Sequence, residues 1–253
     1  MLAPGRVLVC AVALAISLLT AVPAPAAASP CPEVPVPRLS LPATAAALAA
    51  GRPVGIVAFG SSSTAGVGAT APNKTYPALL QTALRAAWPG HDIKVVNQGM
   101  GGEEVDAMAA RLDRDVIATH PVLVIWQAGT NAALRHMDPD LFTATLDAGL
   151  TKLAATGADV VLMDNQVAPK IDAAPGHEVY GPAMASDAAK HHDSLFPRAE
   201  LMREWQAGGA DDLIGPDGLH HSDRGYACVA SVLAQAIVDG VKAPVKLATG
   251  TKP

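Results

Sequence analysis

From Val54 onward, short runs of β-type apolar residues alternate with stretches whose apolar residues recur at helical spacing, and this alternation limits the fold more than any other feature. Strands joined through helices run parallel, and the helices then cover both faces of the sheet. Residues 54–59, 93–96, 122–126 and 160–163 read as the strands. Between them, a helix from Pro77 presents Leu80, Ala83, Leu84 and Ala87 on one face and stops at Pro89-Gly90. A second helix within 103–119 carries Val105, Met108, Ala109, Leu112 and Val116. A third opens at Asp138-Pro139, buries Phe142, Leu146, Leu150 and Leu153, and closes at Gly157. A last helix over about 222–239 turns Tyr226, Val229, Leu233 and Ile237 inward, with Gly240 as its stop. Residues 164–197 carry weaker signals, a short helix at 180–190 and a poor edge strand at 194–196. The expectation is an α/β fold, a three-layer α/β/α sandwich around a central parallel sheet. With 253 residues, half of them apolar, it forms one domain.

The first residues follow a different rule. Arg6, the apolar stretch 7–22 and Ala26-Ala27-Ala28 form a secretory leader, so the expected layout is a leader over 1–28, an Ala/Pro-rich lead-in over 29–53, a domain over 54–240 and a tail over 241–253. A membrane anchor is the competing reading, but sixteen residues are short for a span and Pro23 and Pro25 suit a processing site better. The protein is therefore expected outside the cytoplasm, secreted or periplasmic, without a stable membrane anchor and as a monomer. Its formal charge of −5 becomes more negative once Arg6 leaves, which argues against a nucleic-acid partner. Cys10 leaves with the leader. Cys31 and Cys228 remain, an even number in an oxidising compartment, and are expected to pair.

In an open parallel sheet the ligand sits beyond the carboxyl ends of the strands. There the sequence places Ser61, Ser62 and Ser63 after strand one, Asn97-Gln98-Gly99-Met100-Gly101-Gly102 after strand two, and Gln127-Ala128-Gly129-Thr130-Asn131 after strand three. Asp217-Gly218-Leu219-His220 precedes the last helix. Taken singly, the serines fit helix caps, Asn131 a cap, and Asp217-Gly218 a turn. Together they supply what acyl transfer to serine requires: a hydroxyl, an imidazole to take its proton, a carboxylate to orient that imidazole, and donors for an oxyanion.

These four segments resemble the SGNH hydrolases, also called GDSL esterases and lipases. FGSSSTAG is similar to the Gly-Asp-Ser-Leu block, with Ser62 at the nucleophile; Asn97 to Gly102 resembles the second block, with Gly102 as backbone donor; Gly129-Thr130-Asn131 resembles the third, with Asn131 as side-chain donor; and Asp217 to His220 matches Asp-x-x-His. The resemblance runs from about residue 54 to 240. It implies a flavodoxin-like SGNH fold, a Ser62–His220–Asp217 triad, an oxyanion hole from Ser62, Gly102 and Asn131, no metal or other cofactor, and an acyl ester substrate, small or on a polysaccharide. Three residues depart from the pattern: Ser61 replaces aspartate, Ser63 replaces leucine, and Ala132 replaces the aspartate after asparagine. Hydrolysis of small acyl esters, acetyl among them, is the expected activity; an acyltransferase on the same site and a catalytically lapsed carbohydrate-binding protein are the alternatives.

Other chemistries fit less well. Gly66-Val67-Gly68 follows a strand, but Ala71 stands where a dinucleotide fingerprint needs its third glycine. The pairs His191-His192 and His220-His221 lack the companions of a zinc site, which leaves them surface or catalytic roles. Thr64 also breaks the Gly-x-Ser-x-Gly pattern of the α/β-hydrolases. Asn73-Lys74-Thr75 is a glycosylation sequon only in an organism that performs the reaction.

Overall fold

The computed structural model describes residues 31–242 together with Met1; the expected leader with Cys10, its expected cleavage site, and residues 243–253 of the tail lie outside the described residues. The elements run α1 (Pro42–Ala49), β1 (Val54–Gly60), α2 (Ser62–Ala65), α3 (Tyr76–Ala87), β2 (Ile93–Gly99), α4 (Val105–Asp115), β3 (Leu123–Gln127) and α5 (Thr130–Arg135). They continue with α6 (Pro139–Ala154), β4 (Asp159–Met163), α7 (Pro169–Asp172), α8 (Tyr180–His191), β5 (Ser194–Phe196), α9 (Arg198–Ala207) and α10 (Asp223–Gly240). All strand pairs are parallel, in the order β2-β1-β3-β4-β5.

The strands β1, β3 and β4 are buried on both faces, which is why they read as continuous apolar runs. One face packs Ile56, Ile125 and Val161 against residues of α3, α9 and α10; the other packs Val57, Val124 and Leu162 against residues of α4, α6 and α8. Local chemistry sets the helix ends. Asp138 caps α6 by accepting from the Asp140 and Leu141 amides, with Pro139 next in line, and Ser222 caps α10 through the Gly225 amide.

Several expectations need adjustment. Ala87, expected on the inward face of α3, is exposed. The 103–119 helix ends at Asp115 and gives way to a single 3-10 turn at Ile117–Thr119. Gly240 does not stop α10 but lies inside its last turn, where a Cβ would sit 3.0 Å from the Leu39 carbonyl oxygen. The segment passing there belongs to the Ala/Pro-rich stretch before β1, whose Leu39, Leu41 and Ala47 join the core and whose Cys31 is disulfide-bonded to Cys228 of α10, with Cα atoms 5.7 Å apart. Helices α1 and α9 had no reading in the sequence.

Candidate active site

The strand order reverses between β1 and β3, and the crevice beyond their carboxyl ends is where such sheets bind ligands. Chain β1 leaves the sheet at Gly60, where a Cβ would collide with Thr64 Oγ1 and stand 2.8 Å from Gln127 Oε1, so only glycine fits. Ser61 then serves as the N-cap position of α2, Ser62 is its first residue, and Gly66 ends it with φ 97°. A four-residue helix thus presents Ser62 at the rim with 8% of its surface exposed.

His220 Nε2 lies 2.9 Å from Ser62 Oγ, and His220 Nδ1 lies 2.5 Å from Asp217 Oδ2. The other carboxylate oxygen accepts the Leu219 and His220 amides at 3.0 Å each, so the carboxylate folds the turn that carries the imidazole. Partial burial pushes the Asp217 pKa up, but the hydrogen bonds from His220 and Leu219 outweigh it and hold the carboxyl at about 2. Asp217 is therefore ionised throughout the neutral range. Its neighbour in sequence, His221, is neither on the surface nor at the site. It is buried with its ring 5.2 Å from Tyr226, and burial together with Arg198 pushes its pKa down to about 3.

The glycine turn is gripped from two directions. From α5, Asn131 Nδ2 donates to the Glu103 carbonyl at 2.7 Å, and Arg135 Nη1 donates to the Gly102 carbonyl at 2.7 Å and to Glu104 Oε1 at 2.8 Å. From α4, the buried Arg111 donates to the Glu103 carboxylate and to the carbonyls of Gln98 and Gly60, with its guanidinium 4.4 Å from the centre of the Phe59 ring. Gly102 itself has φ 80°, a conformation that favours glycine. The Asn131 amide keeps a second N–H, and the Ser62 N–H, first in its helix, has no helical acceptor. Of the five positions named from the sequence, Ser62, His220 and Asp217 form one hydrogen-bonded row, while Asn131 and Gly102, which follow β3 and β2, are joined through Glu103.

The three departures from the family pattern each have a physical counterpart. Gln127 Oε1 accepts the Ser61 amide at 3.0 Å, the Ser61 hydroxyl at 3.1 Å and the Thr64 hydroxyl at 3.2 Å. An aspartate at 61 would set its carboxylate against that carbonyl oxygen. Ser63 Oγ accepts from Arg198 Nη1 at 3.0 Å; leucine there would leave a fully buried guanidinium without its hydrogen-bond acceptor. Ala132 is packed in the core on the α6 side, where a carboxylate would be desolvated. Gln127, Arg111 and Arg198 were not singled out by sequence reasoning. Gln127 stood within the quoted strand-three turn, but its partners are 63 and 66 residues away, and those of Arg198 135 residues away.

Among the described residues, no group of three His, Cys, Asp or Glu side chains is placed to hold a metal ion. His191 instead binds Asp147 at 2.6 Å.

The chain is 27% identical over 168 residues to an arylesterase of Vibrio mimicus, covering 65% of this chain and 79% of that protein. It is 31% identical over 144 residues to the esterase TesA of Pseudomonas aeruginosa, covering 56% of this chain and 68% of that one. In structure it superposes on a two-domain esterase active on acetylated mannans with a TM-score of 0.67 at 24% identity, spanning 82% of this chain and 55% of the other, which shows a shared fold. The model of the Non-GDSL lipase-like family matches residues 27–243, and with the esterase relatives this makes the chain a member of that family and an SGNH-type carboxylic ester hydrolase.

Proposed function

We propose that the protein hydrolyses short acyl esters, acetyl groups on a polysaccharide among them, through an acyl-serine intermediate. The observation that carries this reading is the continuous path from Asp217 through His220 to Ser62 Oγ. As Ser62 Oγ bonds to the ester carbon, its proton passes to His220 Nε2, and the carbonyl electrons move onto the oxygen. That oxyanion faces the N–H groups of Ser62, Gly102 and Asn131. Collapse expels the alcohol oxygen, which takes the proton from His220. Water then attacks the acyl-serine with His220 as base, releasing the carboxylic acid and restoring the hydroxyl. Asp217 keeps Nδ1 protonated and balances the imidazolium.

The esterase relatives support the acyl ester, and the neighbour active on acetylated mannans supports a sugar as its alcohol. The reading includes removal of 1–28 and export to a periplasmic or extracellular location, supported by the Cys31–Cys228 disulfide. No helix among the described residues is long and apolar enough to cross a membrane.

The test is hydrolysis of p-nitrophenyl acetate together with labelling by a fluorophosphonate. Ser62→Ala and His220→Ala should each lower kcat by about 10⁴-fold or more, and Ser62→Ala should abolish labelling. Near wild-type turnover in either variant, or equal labelling of wild type and Ser62→Ala, removes the assignment.

A further inference from the structure

A second concavity opens on the same rim, beyond the carboxyl ends of β4 and β5. It measures about 410 Å³, and its polar lining is Asp164, Asn165, His177, Glu178, Glu200 and Arg203. Asp164 and Asn165 follow β4 directly and are each 6% exposed. The Asp164 carboxylate accepts the Ala199 amide at 3.0 Å and a backbone hydrogen bond from Arg198, whereas the Asn165 carboxamide has no hydrogen-bond partner among the described residues. A carboxamide on a residue buried to this degree is normally paired, so Asn165, which lines the cleft, is set for a ligand.

Gly181 of α8 keeps the space above them open. A Cβ there would stand 3.7 Å from Asp164 Oδ2 and 3.8 Å from Asn165 Oδ1, and its φ is ordinary, so the backbone does not require glycine. Alanine would favour the helix. What glycine provides is room over the Asp164 carboxyl and the unpaired Asn165 carboxamide.

We propose that this cleft is a subsite for a polyhydroxylated alcohol, a sugar ring adjoining the acylated one in an oligosaccharide ester. The proposal rests on the esterase reading above and names where the alcohol half of that substrate lies. Neighbouring hydroxyls of a sugar both donate and accept, which matches a carboxyl, a carboxamide and the flanking His177, Glu200 and Arg203. The sheet order puts β4 two strands from β1, so the end of β4 lies roughly 10 Å from the end of β1, a distance a disaccharide spans. Every aromatic side chain of the protein lies in the core or packs against it. Hydrogen bonds rather than ring stacking therefore hold the sugar, and binding depends on single polar groups.

Two variants test this, Gly181→Leu, which fills the cleft, and Asn165→Ala, which removes the carboxamide. Each is assayed on p-nitrophenyl acetate and on acetylated mannotriose. Both should lower kcat/KM for the acetylated trisaccharide about tenfold or more, mainly through KM, and leave p-nitrophenyl acetate within about twofold. Equal losses on both substrates, or none on either, overturn the subsite. If the wild type hydrolyses neither ester, the esterase reading fails and calorimetry decides the cleft separately. Mannotriose binding to the wild type that is lost in Gly181→Leu sustains it, and no binding to the wild type ends it.

Discussion

At the β1 and β3 end of the rim, Ser61, Ser62 and Ser63 meet Gln127, His220 and Arg198, whereas at the β4 end Asp164 and the unpaired Asn165 carboxamide line an open cleft. Both ends are built from polar residues immediately following a buried strand. The first end is braced from elements far away in sequence, so the Ser62 hydroxyl and the His220 imidazole are held in one geometry, as the proposed bond-making chemistry requires. The second end leaves hydrogen-bonding capacity unspent, which suits recognition, because a ligand then supplies the missing partners. The same sheet edge thus carries a rigid half and a receptive half.

The contrast breaks most readily at Gln127. Replacing it with leucine strands the buried amide and hydroxyl of Ser61 and leaves the Thr64 hydroxyl only Tyr76 as partner, and the expected loss of stability is about 3–5 kcal/mol, with a fall in kcat as α2 loosens. A Gln127→Leu protein with the wild-type melting temperature and turnover would show that the nucleophile turn needs no such brace. Asn131→Ala should come next, raising the barrier by about 3–4 kcal/mol and leaving KM little changed. An effect confined to KM would move Asn131 from the rigid half to the receptive one.

The smallest effect concerns Asp164, whose carboxyl burial pushes up to about 6 despite the Ala199 amide and Arg198. Its pKa is thus higher folded than unfolded, so the native state holds this proton more tightly. The wild type therefore loses stability as pH rises from about 4 to about 6, and Asp164→Asn escapes that loss by about 1–3 kcal/mol. Thermal unfolding of both proteins between pH 4 and 7 reads this as a gap that widens and then levels off. Parallel curves would mean that the carboxyl is already satisfied.

Much of this was legible beforehand, and the reasons differ from residue to residue. The buried strands declare themselves as apolar runs, α6 and α10 as periodic faces with Asp138 and Ser222 at their starts, and Asp217 and His220 as partners close enough for one turn to hold both. Helix α9 was hidden because its apolar residues Leu201, Met202 and Trp205 follow Pro197 without a cap signal. The Ala/Pro-rich stretch at 31–53 looks featureless because Leu39 and Leu41 bury themselves by crossing α10, a contact about 200 residues away in the chain.

The sequence by itself determined the layered fold, the turns after the strands in which Ser61 to Ser63, Gly102 and Asn131 stand, the three-residue spacing of Asp217 and His220, and the pairing of Cys31 with Cys228. These follow from local periodicity, short spacings and the count of cysteines. Only the tertiary structure decided why Ser61 and Ser63 stand where they do, since Gln127 and Arg198 reach them across the sheet from elements that no local pattern connects. It alone showed the Asp164 and Asn165 cleft as well. An unpaired polar group is a property of three-dimensional surroundings, and the sequence records the group without its neighbours.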